Sequence, residues 1–190
     1  MQTYRSQQHT DIRVFVPDRF DDARGYFVET WNAARYRKLG LDVEFVQDNM
    51  SLSEMETLRG LHFQFPMPQG KLIYVVSGQI FDVAVDIRVG SPHFGTVHTL
   101  TMTGKSGVQL YIPAGFAHGF FVKSKTATVA YKTTAPYIAA NSRGVYWEDP
   151  DLNIKWPMDD PIVSKQDELW PYLANIPKAY LPSYEECRAA

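Results

Sequence analysis

The stretch "LRGLHFQFP", residues 58–66, alternates along its length. Leu61, Phe63 and Phe65 fall on one face of an extended strand, and Gly60, His62 and Gln64 on the other, because strand side chains have period two. One face is an apolar wall; the opposite face is polar, with a titratable imidazole at its centre. A lone strand histidine is more often structural than functional, so its meaning depends on what the neighbouring strands carry.

Outward from this stretch, short apolar runs recur between Gly, Pro, Asn and Asp. They predict strands at 12–16, 42–47, 58–65, 71–76, 79–87, 96–103, 108–112, 118–123 and 127–133. "VSGQI" (76–80) reads as a tight turn, with Gly78 supplying the unusual backbone angles. "PAGFAHG" (113–119) reads as a punctuated loop entering a strand. Helical pattern is sparse: "TWNAARYRKLG" (30–40) has a Thr30 cap and a stop at Gly40, and a second short helix is expected at 164–174. Many short strands with turn signals between them indicate an all-β sandwich or barrel, with a jelly roll as first choice. One domain is expected over 1–190: a core at about 45–135, an N-terminal arm at 1–44 and a C-terminal helical or extended tail at 136–190.

The bulk numbers fit. Apolar residues make up 45% of 190, enough for a sizeable core. The net charge of −2 gives no reason to expect nucleic-acid binding. The single cysteine, Cys187, cannot form an internal disulfide, so nothing requires an oxidising compartment. The N-terminal "MQTYRSQQHTDIRVF" lacks an apolar targeting core, and no apolar run approaches membrane-spanning length. A soluble, cytoplasmic protein without membrane contact is expected.

Other strands repeat what 58–66 does. In "IFDVAVDIR" (80–88), Asp82, Ala84 and Asp86 share one face. His118 alternates with Phe120 and Val122, Tyr131 with Val129 and Thr133, and Lys71 opens "KLIYVV". Singly, each has a plain structural explanation: Asp82 binding backbone amides, His118 as a satisfied core histidine, Tyr131 as wall, Lys71 as a solvated strand end. Their recurrence on strands of one barrel points to a site. Histidine can take a proton near neutral pH, a carboxylate can orient its ring, lysine can stabilise a developing oxyanion, and tyrosine can return a proton to the opposite face of a carbon. That set suits proton abstraction beside a carbonyl followed by reprotonation, chemistry that requires no metal.

Seven segments then appear in order: "RGYFVETW" (24–31), "QDNMSLS" (47–53), "LRGLHFQ" (58–64), "QGKLIYVVSGQIFDVAVDIRVGSPHFG" (69–95), "IPAGFAHGF" (112–120), "YKTTAPY" (131–137) and "WEDP" (147–150). Together they resemble the dTDP-4-dehydrorhamnose 3,5-epimerase family, over about residues 11–173. The resemblance implies a cupin-type double-stranded β-helix with an N-terminal arm and short C-terminal helices. It implies epimerisation of dTDP-4-keto-6-deoxy-D-glucose at C3 and C5 to dTDP-4-keto-L-rhamnose, without cofactor or metal. It also implies roles: His62 as base with Asp167 of "SKQD" as its carboxylate, Lys71 on the C4 oxygen, and Tyr131 as acid. Asp82, His118 and Tyr137 would line the sugar pocket. Arg59 and Arg24 would hold the diphosphate, with Gln47 and Asn49 nearby. Glu29 would accept from the thymine edge, and Phe20 or Phe27 would stack on it. The family is dimeric, so the "RGYFVE" contacts are expected to serve the partner's site. Met50 and His93 depart from the usual His and Thr. His9 and His98 find no role and are expected at the surface.

Three other readings share parts of this pattern. A C3-only epimerase, or another sugar-nucleotide epimerase, would use His62 and Lys71 with a different tyrosine and pocket arrangement. A metal cupin could use His62, His118 and Asp82 as a facial triad, but "HFQ" puts Gln64 where the second ligand of an H-x-H pair belongs. A non-catalytic sugar or nucleotide binder would have little use for a base, an acid and an oxyanion clamp together.

Overall fold

The computed structural model describes residues 1–189. In chain order its elements are β1 (Gln2–Arg5), β2 (Arg13–Val16), β3 (Arg19–Asp22), β4 (Gly25–Val28), α1 (Ala33–Lys38), β5 (Gln47–Glu54), β6 (Leu58–Gln64), β7 (Lys71–Ser77), β8 (Gln79–Asp86), β9 (Val97–Thr103), β10 (Gln109–Ile112), β11 (Phe116–Val122), β12 (Thr126–Thr133), β13 (Ser142–Gly144) and α2 (Tyr184–Ala189). They form a six-stranded sheet, β1-β2-β10-β7-β12-β5, a five-stranded sheet, β13-β6-β11-β8-β9, and a β3–β4 hairpin. All the ladder pairings are antiparallel. The two sheets face each other as a jelly roll. Strands from both ends of the chain, β1, β2 and β13, extend the sheets beyond residues 45–135.

Each sheet has two buried faces. Between the sheets, Ile73, Val75, Ile80, Met102, Leu110, Phe120 and Val129 form the main core. On the outside of the five-stranded sheet, Leu61, Phe63, Val83, Val85 and Ile87 are covered by Leu152, Leu173 and Leu181 of the tail. Outside the six-stranded sheet, Phe15, Leu72 and Tyr111 are covered by Tyr36 of α1 together with Trp31 and Phe45. The apolar wall read in 58–66 therefore faces the tail, and His62 faces the space between the sheets.

Several local expectations need correction. Residues 42–46 are not a strand, because Phe45 is engaged with Trp31 and Tyr111 beside α1. The ladder begins at Gln47, and β5 turns Gln47, Asn49, Ser51 and Ser53 inward while Met50 and Leu52 are exposed on its other face, so no apolar alternation toward the core revealed it. The N-cap of α1 is Asn32, whose Oδ1 accepts from the Arg35 amide at 3.2 Å; Thr30 lies outside the helix. The segment 164–174 forms two single 3₁₀ turns, Asp167–Leu169 and Leu173–Asn175, separated by Pro171, which has no amide to donate. Gly78 does turn the chain between β7 and β8 at φ +84°. Among the described residues, no helix is long and apolar enough to cross a membrane.

Candidate active site

The strand that carries His62 is not regular. His118 pairs with His62, but Phe120 pairs with Arg59, so Gly60 and Leu61 of β6 oppose Gly119 alone. This bulge returns Arg59 to the inner side, where its Nε donates to Ser53 Oγ of β5 at 2.8 Å. Two glycines permit it. Gly60 has φ +127°, and a Cβ there would sit 2.6 Å from the Gly119 Cα; a Cβ on Gly119 would sit 2.6 Å from the Arg59 carbonyl oxygen.

His62 lines an open cleft of about 200 Å³ together with Lys71 from β7, Tyr131 from β12 and Tyr137 from the loop that follows. His62 Nε2 lies 2.5 Å from Asp167 Oδ1. The carboxylate is the buried partner, 4% exposed against 41% for the imidazole. Burial by itself would raise the Asp167 pKa, but hydrogen bonds from His62, Trp170 and Ser164 outweigh it and hold the carboxyl below its ordinary value. The ionised Asp167 is an acceptor only, so Nε2 carries the proton and Nδ1 is left with its lone pair.

Desolvation pulls the Lys71 ammonium down to about 8, opposed by the charge of Asp82. Asp82 is fully buried; its Oδ2 accepts from His118 Nε2 at 2.9 Å, and its Oδ1 has no hydrogen-bond partner among the described residues. Burial also lowers the His118 pKa and so favours the neutral ring, although Asp82 pulls toward the charged form. Burial raises the Tyr131 phenol, so it keeps its proton through neutral pH. The cleft therefore presents an oriented imidazole, a cation and a protonated phenol, supported from beneath by a buried Asp–His pair.

Other residues singled out from sequence divide into two groups. Asn49 pairs with Tyr131 and Gln47 with Thr133 in the β5–β12 ladder. Gln47 Nε2 donates to Asn49 Oδ1 at 2.8 Å, and its Oε1 accepts from the Tyr137 amide at 2.8 Å, which ties the cleft's rim together. Arg24, Phe20, Phe27 and Glu29 are not brought to the cleft of their own chain. Among the described residues Arg24 bonds only Asp22, and its side chain is 90% exposed at the tip of the β3–β4 hairpin. Phe20 and Phe27 are exposed beside it. Glu29 is held by Arg35 and Asn32 at the start of α1.

Some residues were missed or misplaced by sequence. Trp170 lines the cleft and contacts Asp167, a role that an isolated tail tryptophan gives no periodic signal for. Gln64 uses its side-chain amide on the backbone of Met67, Pro136 and Ile138, which anchors two loops at the cleft. Among the described residues, no group of three His, Cys, Asp or Glu is placed to hold a metal ion. His9 and His98 are buried, not superficial, at 1% and 3% exposure. His9 Nε2 meets Asp86, which also accepts from Arg88 and Ser91. His98 points inward from β9, and burial lowers its pKa.

Residues 7–175 match the family model described as dTDP-4-dehydrorhamnose 3,5-epimerase. The chain is 43% identical over 180 residues to a dTDP-4-dehydrorhamnose 3,5-epimerase of Sinorhizobium fredii, covering 93% of this chain and 92% of that protein. It superposes with TM-score 0.93 and 40% identity on the dTDP-6-deoxy-D-glucose-3,5-epimerase of Legionella pneumophila, solved with dTDP-4-keto-L-rhamnose; the match covers 96% of this chain and 98% of that one. A 3'-monoepimerase of Streptomyces bikiniensis, solved with dTDP-quinovose, superposes with TM-score 0.90 at 31% identity, covering 98% of each chain.

Proposed function

Because the chain belongs to the dTDP-4-dehydrorhamnose 3,5-epimerase family, we propose that its cleft inverts C3 and C5 of dTDP-4-keto-6-deoxy-D-glucose with His62 as base and Tyr131 as acid. The protein is an isomerase with a jelly-roll fold. The observation that carries the assignment of residues is the 2.5 Å contact of His62 Nε2 with Asp167 Oδ1 at the edge of a cleft lined by Lys71 and Tyr131.

The C4 ketone acidifies the C–H bonds at C3 and C5. His62 Nδ1 takes the C3 proton, and the bonding electrons move into a C3–C4 double bond with negative charge on O4. Asp167 stabilises the imidazolium through Nε2–H. Lys71 donates to O4 as charge builds, which favours the enolate over the ground-state ketone. Tyr131 gives its proton to the opposite face of C3; the imidazolium then releases the C3 proton to solvent and the phenolate regains one, which restores both groups. The same cycle at C5 yields the L-configured product. Asp82, His118 and Tyr137 bound the sugar, and Arg59, Gln47 and Asn49 take the diphosphate end.

Arg24, Phe20 and Phe27 are far better suited to a neighbouring cleft than to their own, since the hairpin that bears them projects into solvent, and Glu29 follows directly on that hairpin. A homodimer in which this hairpin completes the partner's nucleotide site accounts for two exposed phenylalanines on one hairpin. A cytoplasmic enzyme consuming a soluble nucleotide sugar fits the absence of any spanning helix among the described residues.

The test is to offer dTDP-4-keto-6-deoxy-D-glucose in heavy water and follow the label by mass. Deuterium at both C3 and C5 is expected, and lost when His62 is replaced by Asn while binding persists. Label at C3 alone would instead make the protein a C3 epimerase, the activity of its relative at 31% identity. Sedimentation of the wild type against a Phe20→Ala/Phe27→Ala variant tests the dimer.

A further inference from the structure

We propose that Trp170 is a positioning residue of the reaction: its indole N–H fixes the Asp167 carboxylate so that it stays aligned on His62. This rests on the reading of His62 and Asp167 as the base and its orienting partner. Trp170 Nε1 donates to Asp167 Oδ1 at 3.1 Å, the same oxygen that His62 Nε2 meets at 2.5 Å. Two donors from different elements converge on one acceptor atom. A carboxylate held by the imidazole alone could rotate about its Cβ–Cγ bond; a second donor on the same oxygen removes that freedom.

Two independent features of the chain place the indole there. Asp167–Leu169 is a single 3₁₀ turn, and with three residues per turn Asp167 and Trp170 lie on the same side of it. The Asp167 amide closes the turn's start by donating to Ser164 Oγ at 3.1 Å. On the other side stands Gly144 of β13, paired in register with His62. A Cβ on Gly144 would lie 2.5 Å from Trp170 Nε1 and 2.6 Å from Cδ1 and Cδ2. The backbone there does not call for glycine, because Gly144 is not among the residues with positive φ. The bare Cα is needed by the ring. Cross-strand neighbours project to the same face, so the indole over Gly144 lies on the His62 side of the sheet, beside the imidazole.

A simple wall function for Trp170 makes a different prediction from a positioning one. A wall touches bound substrate, and removing it raises KM. A residue that orients Asp167 acts on the base in the proton-transfer step, and removing it lowers kcat. The decisive variant replaces Trp170 in the full-length protein with benzothienylalanine, which keeps the bicyclic shape and exchanges the N–H for sulfur. The loss of one hydrogen bond to a charged group predicts a kcat lower by about tenfold, with KM within about twofold of wild type. Trp170→Phe gives the same split. Gly144→Ala, by displacing the indole, lowers kcat in the same way, and Trp170→His, which retains a ring N–H, recovers part of the loss. An unchanged kcat in the sulfur variant, or a rise in KM alone, overturns the proposal. His62→Asn separates the two layers: if it remains active, the assignment of the base fails; if it is inactive and the sulfur variant runs at full rate, only the role of Trp170 falls.

Discussion

The basic limb of the pH profile follows from Lys71. Its ammonium is brought down to about 8 by burial, and Tyr131 is pushed above its ordinary value, so the cation titrates well before the phenol. The groups facing Lys71 are Asp82 on β8, His118 on β11, His62 on β6 and Tyr131 on β12; of these, only Asp82 favours the charged amine. With a pKa of about 8, roughly one Lys71 in eleven is charged at pH 9, so kcat/KM should fall about tenfold from its plateau to pH 9 and tenfold again by pH 10. The assay is deuterium wash-in to the substrate from buffered heavy water at subsaturating concentration. Lys71→Arg, which cannot lose its proton in this range, moves the limb above pH 10. Lys71→Met, lacking any donor to O4, loses about 10²–10³ in kcat at every pH, by comparison with the removal of an oxyanion donor. The reasoning is refuted if the break lies near pH 10 in the wild type, or stays near 8 in Lys71→Arg. The folded pKa of Lys71 lies below the unfolded value of 10.5, so between about 8 and 10.5 the unfolded chain binds more protons, and this group makes the fold more stable as pH rises across that window.

Asp167→Asn keeps the shape of the carboxylate but not its charge, and should lower kcat by about 10²–10⁴ while leaving the dissociation constant for dTDP-sugar, measured by calorimetry, near wild type. Because the Asp167 pKa is depressed, its contribution to stability is present above the unfolded value of 3.8 and lost as pH falls through the folded pKa; acid titration of Asp167→Asn should lack that component of the wild-type curve. Gly60→Ala puts a methyl 2.6 Å from the Gly119 Cα at φ +127°, so urea unfolding should show a loss of about 2–4 kcal/mol, with activity falling because the bulge re-aims Arg59 and His62. Asp86 accepts from Arg88, Ser91 and His9 in the interior, and Arg88 also reaches Asp11 and lies over Tyr184. Asp86→Leu strands the buried guanidinium and should cost about 3–5 kcal/mol in denaturant melts, loosening both chain ends from the barrel; an unchanged midpoint would show that the network is not stabilising.

Where sequence reading worked, local pattern and burial agreed. β7, β8, β11 and β12 each set apolar side chains into the core between the sheets, and β6 turns Leu61 and Phe63 to the tail while His62 faces inward. The same period put His62, Lys71, Asp82, His118 and Tyr131 on inward faces; of these His62, Lys71 and Tyr131 line the cleft, whereas Gln69, Ser142, Gln166 and Trp170 of its lining carry no periodic signal. It faltered where alternation carried no apolar signal. β5 turns Gln47, Asn49, Ser51 and Ser53 inward and leaves Met50 and Leu52 exposed on its other face, so no apolar alternation toward the core marks residues 48–54. His9 and His98 looked superficial because a polar residue's burial depends on distant partners; the Asp86–Arg88 pair that receives His9 is 77 residues away.

The sequence alone determined that this chain is a jelly roll with ionisable side chains on the inner faces of several strands, because strand period is a local property and the barrel topology follows from many short strands. It also carried the family, through ordered motifs. Only the tertiary structure decided which oxygen meets His62, that Trp170 and Gly144 share the task of holding it, and that Arg24, Phe20 and Phe27 stand outside their own chain's cleft. Those facts depend on the packing of segments more than a hundred residues apart, such as His62 against Asp167 with a separation of 105, and no local periodicity encodes such a meeting.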